Sequence, residues 1–386
     1  MVGYALLSNM IGTNLPTPLY GVYRTEFGFS QATLTLIFAI YALAVIAALL
    51  LFGRLSDAYG RRPLLMIGLL LAAAGSVLFA LAQGVVWLFV ARAVQGLGAG
   101  IVSGTAIAAL VELQPRADKR HAALIATLAQ AGGTALGPPL AGVLAQYAPL
   151  PTVLPYLIQL LLLTPALMAA WAMPETVEEA GSGSVTWHPR KPEVPAGIRV
   201  TFAFASAAVF VAWAVTGLYL SLVPSYVANL FQADNLALEG GVVFVMLGAS
   251  SAAQVLLRRT PSRTAITSGL LMLAVGLGGI VLAVPLGSLW LLLLATLLSG
   301  IGHGLAFLGS QNVVGGVAPS ERRAEVNSSF YLAVYLGVGL PVVGTGLAAN
   351  LVGLYPAVAA FATVIGAFGL LTVLLVATKG GEFVRS

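Results

Sequence analysis

Gly53–Leu65 reads GRLSDAYGRRPLL and separates two long apolar runs. It holds three arginines (Arg54, Arg61, Arg62), one aspartate (Asp57) and two glycines (Gly53, Gly60). A helix needs about 20 apolar residues to cross a bilayer, and a dozen residues cannot recross one. The stretch therefore reads as a tight turn at the membrane surface, with both flanking helices ending on the same side. Its positive charge assigns that side to the cytoplasm. Gly60 suits a helix end or a left-handed turn, and Pro63 suits the first turn of the next helix. The neighbouring arginines favour an ionised Asp57. Read from charge alone, the stretch is an ordinary positive-inside loop or a functional turn.

The composition of the whole chain fits that reading. Of 386 residues, 59% are hydrophobic and 8% charged, and the mean hydropathy is +0.98. A soluble domain carries roughly a quarter charged residues. The net charge of +5 is confined to short loops between apolar runs, which argues for a lipid bilayer as partner and against nucleic acid. The chain has no cysteine, so disulfide and thiol chemistry are excluded and the redox compartment is unreadable. The first apolar run lacks a basic leader and a small-residue cleavage site, and is expected to be a retained first helix.

Twelve spans are expected, at about 3–24, 30–53, 63–83, 85–112, 119–146, 151–173, 197–229, 238–257, 263–284, 287–315, 322–349 and 353–378. Residues 1–173 form an N-terminal bundle of six helices and 197–386 a C-terminal bundle of six. Between them, 174–196 is rich in charge, glycine and serine and reads as a flexible cytoplasmic linker. Of the 18 lysines and arginines, only Arg24 falls outside and only Arg92 within a span. The remaining 16 lie at the cytoplasmic face if both termini are cytoplasmic.

The turn also carries a pattern, G-x-L-x-D-x-x-G-R-R-x-x-L, on Gly53, Leu55, Asp57, Gly60, Arg61, Arg62 and Leu65. It closely resembles the loop between helices 2 and 3 of the major facilitator superfamily. That resemblance implies an all-α membrane protein of two pseudo-symmetric six-helix bundles working by alternating access. An internal repeat agrees with it. Laid over Thr296–Pro319 at an offset of 204, Arg92–Pro115 places Gly96, Gly98, Gly100 and Pro115 on Gly300, Gly302, Gly304 and Pro319. The register continues, with Gly133 and Gly142 falling on Gly337 and Gly346. Parallel repeats of this kind suit a transporter with a midplane site.

Further motifs narrow the expectation. Arg92-x-x-Gln95-Gly96-x-Gly98-Ala99 resembles the fourth-helix motif of proton-coupled exporters in this superfamily. By that resemblance Arg92 faces the cavity and serves proton transfer, supported by Gln95. An arginine within a span is costly and by default functional, the alternative being a side chain snorkelling to the headgroups. Gly133-x3-Gly137-Pro138-x2-Ala141-Gly142 resembles the fifth-helix signature of exporters, with Ala141 where the family has glycine and Leu124 in place of an upstream glycine. Pro138 and Pro139 remove two amide donors and are expected to bend the helix. Pro16-x-Pro18-x-Tyr20 resembles the first-helix pattern of twelve-helix drug exporters, the alternative being a simple kink.

Relatives that use protons have a carboxylate in span 1 or 4 facing the cavity, and span 1 here carries Thr13 and Asn14 instead. His303 in span 10 is then the leading titratable group, or else a neutral histidine bonded between helices. The resemblance pairs Arg61 with Glu112 and sets Asp57 near 322–325, forming a cytoplasmic gate from Gly53, Asp57, Gly60, Arg61, Arg62 and Glu112. Glu26, Asp234 and Glu239 read as charges in outside loops. Candidate substrate and coupling residues are Arg92, Gln95, His303, Asn14, Tyr20, Gln130, Tyr219, Tyr226, Phe307, Tyr331 and Tyr335, with Tyr41 and Trp213 as further wall residues. Aromatics with scattered amides suit an amphiphilic organic ligand, though each aromatic alone also fits helix packing.

The sequence holds no phosphate-binding Gly-x-x-x-x-Gly-Lys loop, no metal-ligand cluster and no nucleophile–base motif. No cofactor and no enzyme activity are expected. The expectation is a monomeric inner-membrane secondary transporter that exports a small drug-like compound in exchange for protons. A sugar, organic-anion or metabolite facilitator or symporter is the alternative, and a non-transporting receptor a more distant one.

Overall fold

The computed structural model describes residues 1–52, 56, 59–113, 119–177, 193–231 and 235–378. Among these are fourteen α-helices and no strand: α1 (Val2–Asn14), α2 (Tyr20–Phe27), α3 (Gln31–Phe52), α4 (Arg61–Ala80), α5 (Val85–Glu112), α6 (Lys119–Tyr147), α7 (Leu154–Ala172), α8 (Arg199–Ser221), α9 (Val223–Phe231), α10 (Leu236–Leu256), α11 (Ser262–Ala283), α12 (Leu289–Val317), α13 (Arg323–Val352) and α14 (Leu354–Thr378). Among the described residues, ten helical segments are long and apolar enough to cross a membrane.

Two of the twelve expected spans are not among these ten. The span expected at 3–24 is divided into α1 and α2, because Pro16 and Pro18 lack the amide hydrogens that would carry the helix through. The span expected at 119–146 is the single 29-residue helix α6, assigned continuously through Pro138 and Pro139. The span expected at 197–229 is likewise divided, ending as α8 and resuming as α9 beside Pro224.

The chain forms two compact units, Met1–Phe29 with Ile40–Arg190, and Ser30–Ala39 with Lys191–Ser386. Glycines set the helix spacing in each, because a backbone without a Cβ admits close approach. In the first unit a methyl added at Gly96 would stand 2.6 Å from the Tyr41 carbonyl oxygen on α3, and one at Gly98 2.8 Å from the Gly68 carbonyl on α4. The second unit repeats the arrangement. A methyl at Gly300 would meet the Met246 carbonyl and stand 2.8 Å from the Ala249 side chain on α10, and one at Gly302 would stand 2.7 Å from the Gly269 carbonyl on α11. Helices α5 and α12 thus hold equivalent places in the two units, each wedged between two neighbours. The second unit also takes in the first turns of α3, where the Ala32 amide lies 3.4 Å from Asn350 Oδ1 on α13.

Candidate functional site

Arg92 sits near the middle of the first unit with no solvent exposure. Helix α5 carries it and α1 supplies much of its environment. Pro16 has no amide to offer the carbonyl four residues back, so the Gly12 carbonyl accepts the Leu15 amide at 3.3 Å and keeps room for a second donor. The Thr17 amide turns back to the Asn14 carbonyl instead (3.1 Å), which releases the Thr13 carbonyl. Both oxygens accept from α5. Arg92 Nη1 donates to the Thr13 carbonyl at 2.6 Å and to Gln95 Oε1 at 2.7 Å, while Gln95 Nε2 donates to the Gly12 carbonyl at 2.8 Å. Arg92 Nε donates to the Tyr20 hydroxyl. The guanidinium also lies 5.3 Å from the ring centres of Tyr20 and Tyr41 and 5.8 Å from that of Phe79. Carbonyl dipoles, an amide and three ring faces thus surround a buried cation, the kind of setting that offsets lost hydration. Arg92 does not snorkel.

The same logic places Asn14. Pro138 on α6 leaves the Thr134 carbonyl without its helical donor, and Asn14 Nδ2 donates to it at 3.2 Å. Gly133 lies against α1, where an added methyl would stand 2.5 Å from the Leu7 carbonyl. Gly137 meets the Ile11 carbonyl in the same way, and Gly142 is buried. The fifth-helix motif therefore shapes a close α1–α6 contact. Gln130 is half-buried on α6, its carbonyl bonded by the Thr134 hydroxyl at 2.6 Å. It is not brought to Arg92 by any bond seen here.

At the other end of α4 and α5 lies a second polar group. Gly60 has φ +98°, a backbone that favours glycine, and an added methyl there would strike the Glu175 carboxylate. Arg61 is buried and donates through Nη2 to Glu112 Oε1 at 2.8 Å, and through Nη1 to Ser56 Oγ at 2.6 Å. The Thr176 hydroxyl donates to Glu112 Oε2 at 2.5 Å. Glu175 caps α4, accepting from the amides of Arg61 (2.8 Å) and Arg62 (3.1 Å). Burial raises the Glu175 carboxyl, but the amides of Arg61, Val177, Arg62 and Thr176 outweigh it and hold the group below the usual carboxylate range. Arg62 itself lies over the Trp171 ring at 6.0 Å. Gly53 and Asp57, the other expected gate residues, lie outside the described residues.

Glu175 and Thr176 are members of this group that sequence reasoning missed, having assigned them to a flexible linker. The available signal was an acid and a hydroxyl directly after an apolar helix. Glu239 is another correction. Expected in an outside loop, it lies in the first turn of α10 and is 4% exposed. A helix N-terminus favours a carboxylate, and Asn235 caps the same turn by accepting from the Leu238 amide at 3.0 Å.

In the second unit the Tyr219 hydroxyl donates to Thr296 Oγ1 at 3.1 Å. Thr296 is the repeat counterpart of Arg92, so a neutral pair stands where the first unit holds its cation. Tyr226 is fully buried and donates to the Ile280 carbonyl at 3.2 Å. His303 Nδ1 lies 2.7 Å from Ser250 Oγ, bonding α12 to α10. Its ring is part of an aromatic group with Trp213 (5.2 Å) and Phe307 (6.1 Å). Tyr331 and Tyr335 are half-buried on α13, Tyr331 packing edge-on against Phe330 at 6.0 Å. Within the first unit Arg92 bonds Tyr20 and Gln95, and within the second His303 and Phe307 share one aromatic group.

Comparison with known proteins agrees with this architecture. The Multidrug resistance protein Stp of Mycobacterium tuberculosis is 34% identical over 122 residues, 31% of this chain and 23% of that protein. The Inner membrane transport protein YajR of Escherichia coli is 32% identical over 122 residues, 31% of this chain and 26% of that protein. The matches thus span about a quarter of each relative's length. A bacterial homologue of the human lysosomal transporter Spinster shares the fold, with a TM-score of 0.75 at 16% identity over 96% of this chain and 95% of that one. The Major Facilitator Superfamily model matches residues 2–341, and on that match the chain belongs to the major facilitator superfamily.

Proposed function

We propose that this protein is a secondary transporter of the inner membrane that exports a small amphiphilic organic compound in exchange for protons, by alternating access. The observation that carries the reading is Arg92, a fully buried cation held by Tyr20, Gln95 and the Thr13 carbonyl that the broken first helix releases. A folded bundle gains nothing in stability from such a group over a well-packed apolar side chain. Its retention within a span is explained by ligand or proton chemistry. The partial likeness to a multidrug resistance protein supports the direction and the class of compound. Arg61, Arg62, Glu112 and Gly60, with Gly53 and Asp57, act in this reading as the cytoplasmic gate. The protein works as a monomer, with residues 1–173 and 197–386 as its two bundles and both termini in the cytoplasm.

The role of the guanidinium follows from its chemistry. It stays charged at any physiological pH, so it does not carry the proton itself. It holds a negative or polar ligand, or it biases the titration of a neighbouring group. The test is a proteoliposome assay with an imposed pH gradient and a panel of anionic, neutral and cationic amphiphiles. Substrate flux that opposes proton flux is expected, falling at least tenfold in Arg92→Lys, which keeps the charge and loses the fork. Flux indifferent to the pH gradient would replace exchange with facilitation. The buried guanidinium favours an organic anion as the ligand in that second reading.

A further inference from the structure

Two ring nitrogens in the second unit are buried and have no hydrogen-bond partner: Trp213 Nε1 and His303 Nε2. Trp213 lies on α8 and His303 on α12, their ring centres 5.2 Å apart and their planes at 77°. Phe307, one turn further along α12, stands 5.7 Å from Trp213 and closes the aromatic group. His303 is 4% exposed, while Trp213 and Phe307 are half-buried.

The hydrogen bonds behind His303 fix which proton it presents. Gln254 Nε2 lies 3.2 Å from Ser250 Oγ, and an amide nitrogen can only donate. Ser250 Oγ accepts from Gln254 and donates its own hydroxyl hydrogen bond to His303 Nδ1, 2.7 Å away. Nδ1 is then the acceptor and Nε2 carries the hydrogen, since a neutral imidazole has one of each. The reverse tautomer would leave the buried Ser250 hydroxyl proton without an acceptor. Trp213 Nε1 is a donor in any state. The unit therefore holds two unpartnered N–H donors on rings that pack against each other.

We infer that Trp213, His303 and Phe307 form a binding subsite for an aromatic acid, whose carboxylate oxygens accept from both ring N–H groups while its ring packs on the aromatic surface. Buried donors are ordinarily paired, and a pair left open among apolar rings matches a ligand that brings the acceptors. An ammonium compound of the same shape brings only donors and is rejected. Ser250 and Gln254 do not touch the ligand in this arrangement. They position His303 by holding its tautomer. The inference deepens the transport reading by naming the ligand class, and it rests on that reading for what occupancy accomplishes.

The test uses the full-length protein in micelles with 2-naphthoate and the matched cation 2-naphthylmethylammonium as probes. Naphthoate is expected to bind and the ammonium compound not to. Trp213→Phe and His303→Phe, which keep a ring and lose the N–H, each weaken naphthoate by about tenfold or more. His303→Gln, which restores an N–H near the same place, recovers most of the affinity. Nitrogen-15 spectra of the unaltered protein give a readout that needs no variant. One indole N–H and one imidazole Nε2–H are expected to shift with naphthoate and to stay put with the ammonium compound. Failure of naphthoate to bind, equal binding of the two probes, or unshifted ring nitrogens would overturn the subsite. Proton-coupled export with no naphthoate binding removes this inference alone. Naphthoate binding that needs both N–H groups, in a chain that transports nothing, leaves the subsite and removes the transport reading.

Discussion

At the scale of single residues, proline and its missing amide explain most of the first unit. Pro16 leaves the Gly12 carbonyl with only the Leu15 amide and Pro138 leaves the Thr134 carbonyl without its helical donor, and a side-chain amide arrives at each, Gln95 at 2.8 Å and Asn14 at 3.2 Å. Arg92 takes the Thr13 carbonyl beside them. Tyr20 then has two functions, an acceptor for Arg92 Nε and a ring face for its guanidinium. Tyr20→Phe separates them, deleting the hydroxyl and keeping the ring. A buried charge-assisted bond is lost, so thermal unfolding of the purified protein is expected to show a loss of about 1.5–3 kcal/mol. An unchanged unfolding temperature would mean that the ring contact alone holds the arginine. Arg92 was legible in the sequence as an intramembrane charge. Its backbone partner at Thr13, and that of Gln95 at Gly12, were not, because a backbone carbonyl looks the same in every residue until its helical donor is removed.

At the scale of elements, α4 depends on a carboxylate from the chain just beyond α7. Glu175 bonds the Arg61 amide across 114 positions of sequence. Its carboxyl is held low by four backbone amides against the opposing effect of burial. A depressed carboxyl stabilises the fold above its unfolded value, and that contribution is lost as pH falls through the folded value. Lowering pH from about 6 to about 3 is therefore expected to cost the unaltered protein more in unfolding temperature than it costs Glu175→Gln. Parallel curves for the two would remove the cap from the account. The glycine contacts give a second prediction at this scale. Gly96→Ala sets a methyl 2.6 Å from the Tyr41 carbonyl, and backbone cannot yield as a side-chain tip does. Helices α3 and α5 must separate, with an expected loss of about 1–3 kcal/mol in the same unfolding measurement. The glycine register was legible from the repeat, since the spacing recurs at 204 residues. The strands of backbone that those glycines touch were not.

At the scale of the whole molecule, charge placement gives an orientation that can be tested directly. The chain contains no cysteine, so introduced thiols report without background. Leu150 is 61% exposed in the turn between α6 and α7, and Ser262 begins α11 beside Arg263. With both termini cytoplasmic, Leu150→Cys is expected to react with a membrane-impermeant maleimide on intact cells and Ser262→Cys only after lysis. Labelling of Ser262→Cys alone from outside would reverse the proposed topology, and labelling of both would break it. The repeat also has a chemical asymmetry. The position of Arg92 is Thr296 in the other unit, bonded to Tyr219 at 3.1 Å. One duplicated frame thus carries a fixed cation in its first copy and a neutral hydroxyl pair in its second.

The sequence by itself determined the all-helical membrane class, the internal duplication and the residues worth watching. Those properties are sums over short windows, hydropathy over about 20 residues and charge over a loop, and need no knowledge of neighbours. Only the tertiary structure decided that Glu175 and Thr176 close on Arg61 and Glu112, that Glu239 is buried, and that Trp213 joins His303. Each of these depends on which helix faces meet and on which carbonyls and ring nitrogens are left over when they do. The rotation of one helix against another sets that outcome, and no local pattern encodes it.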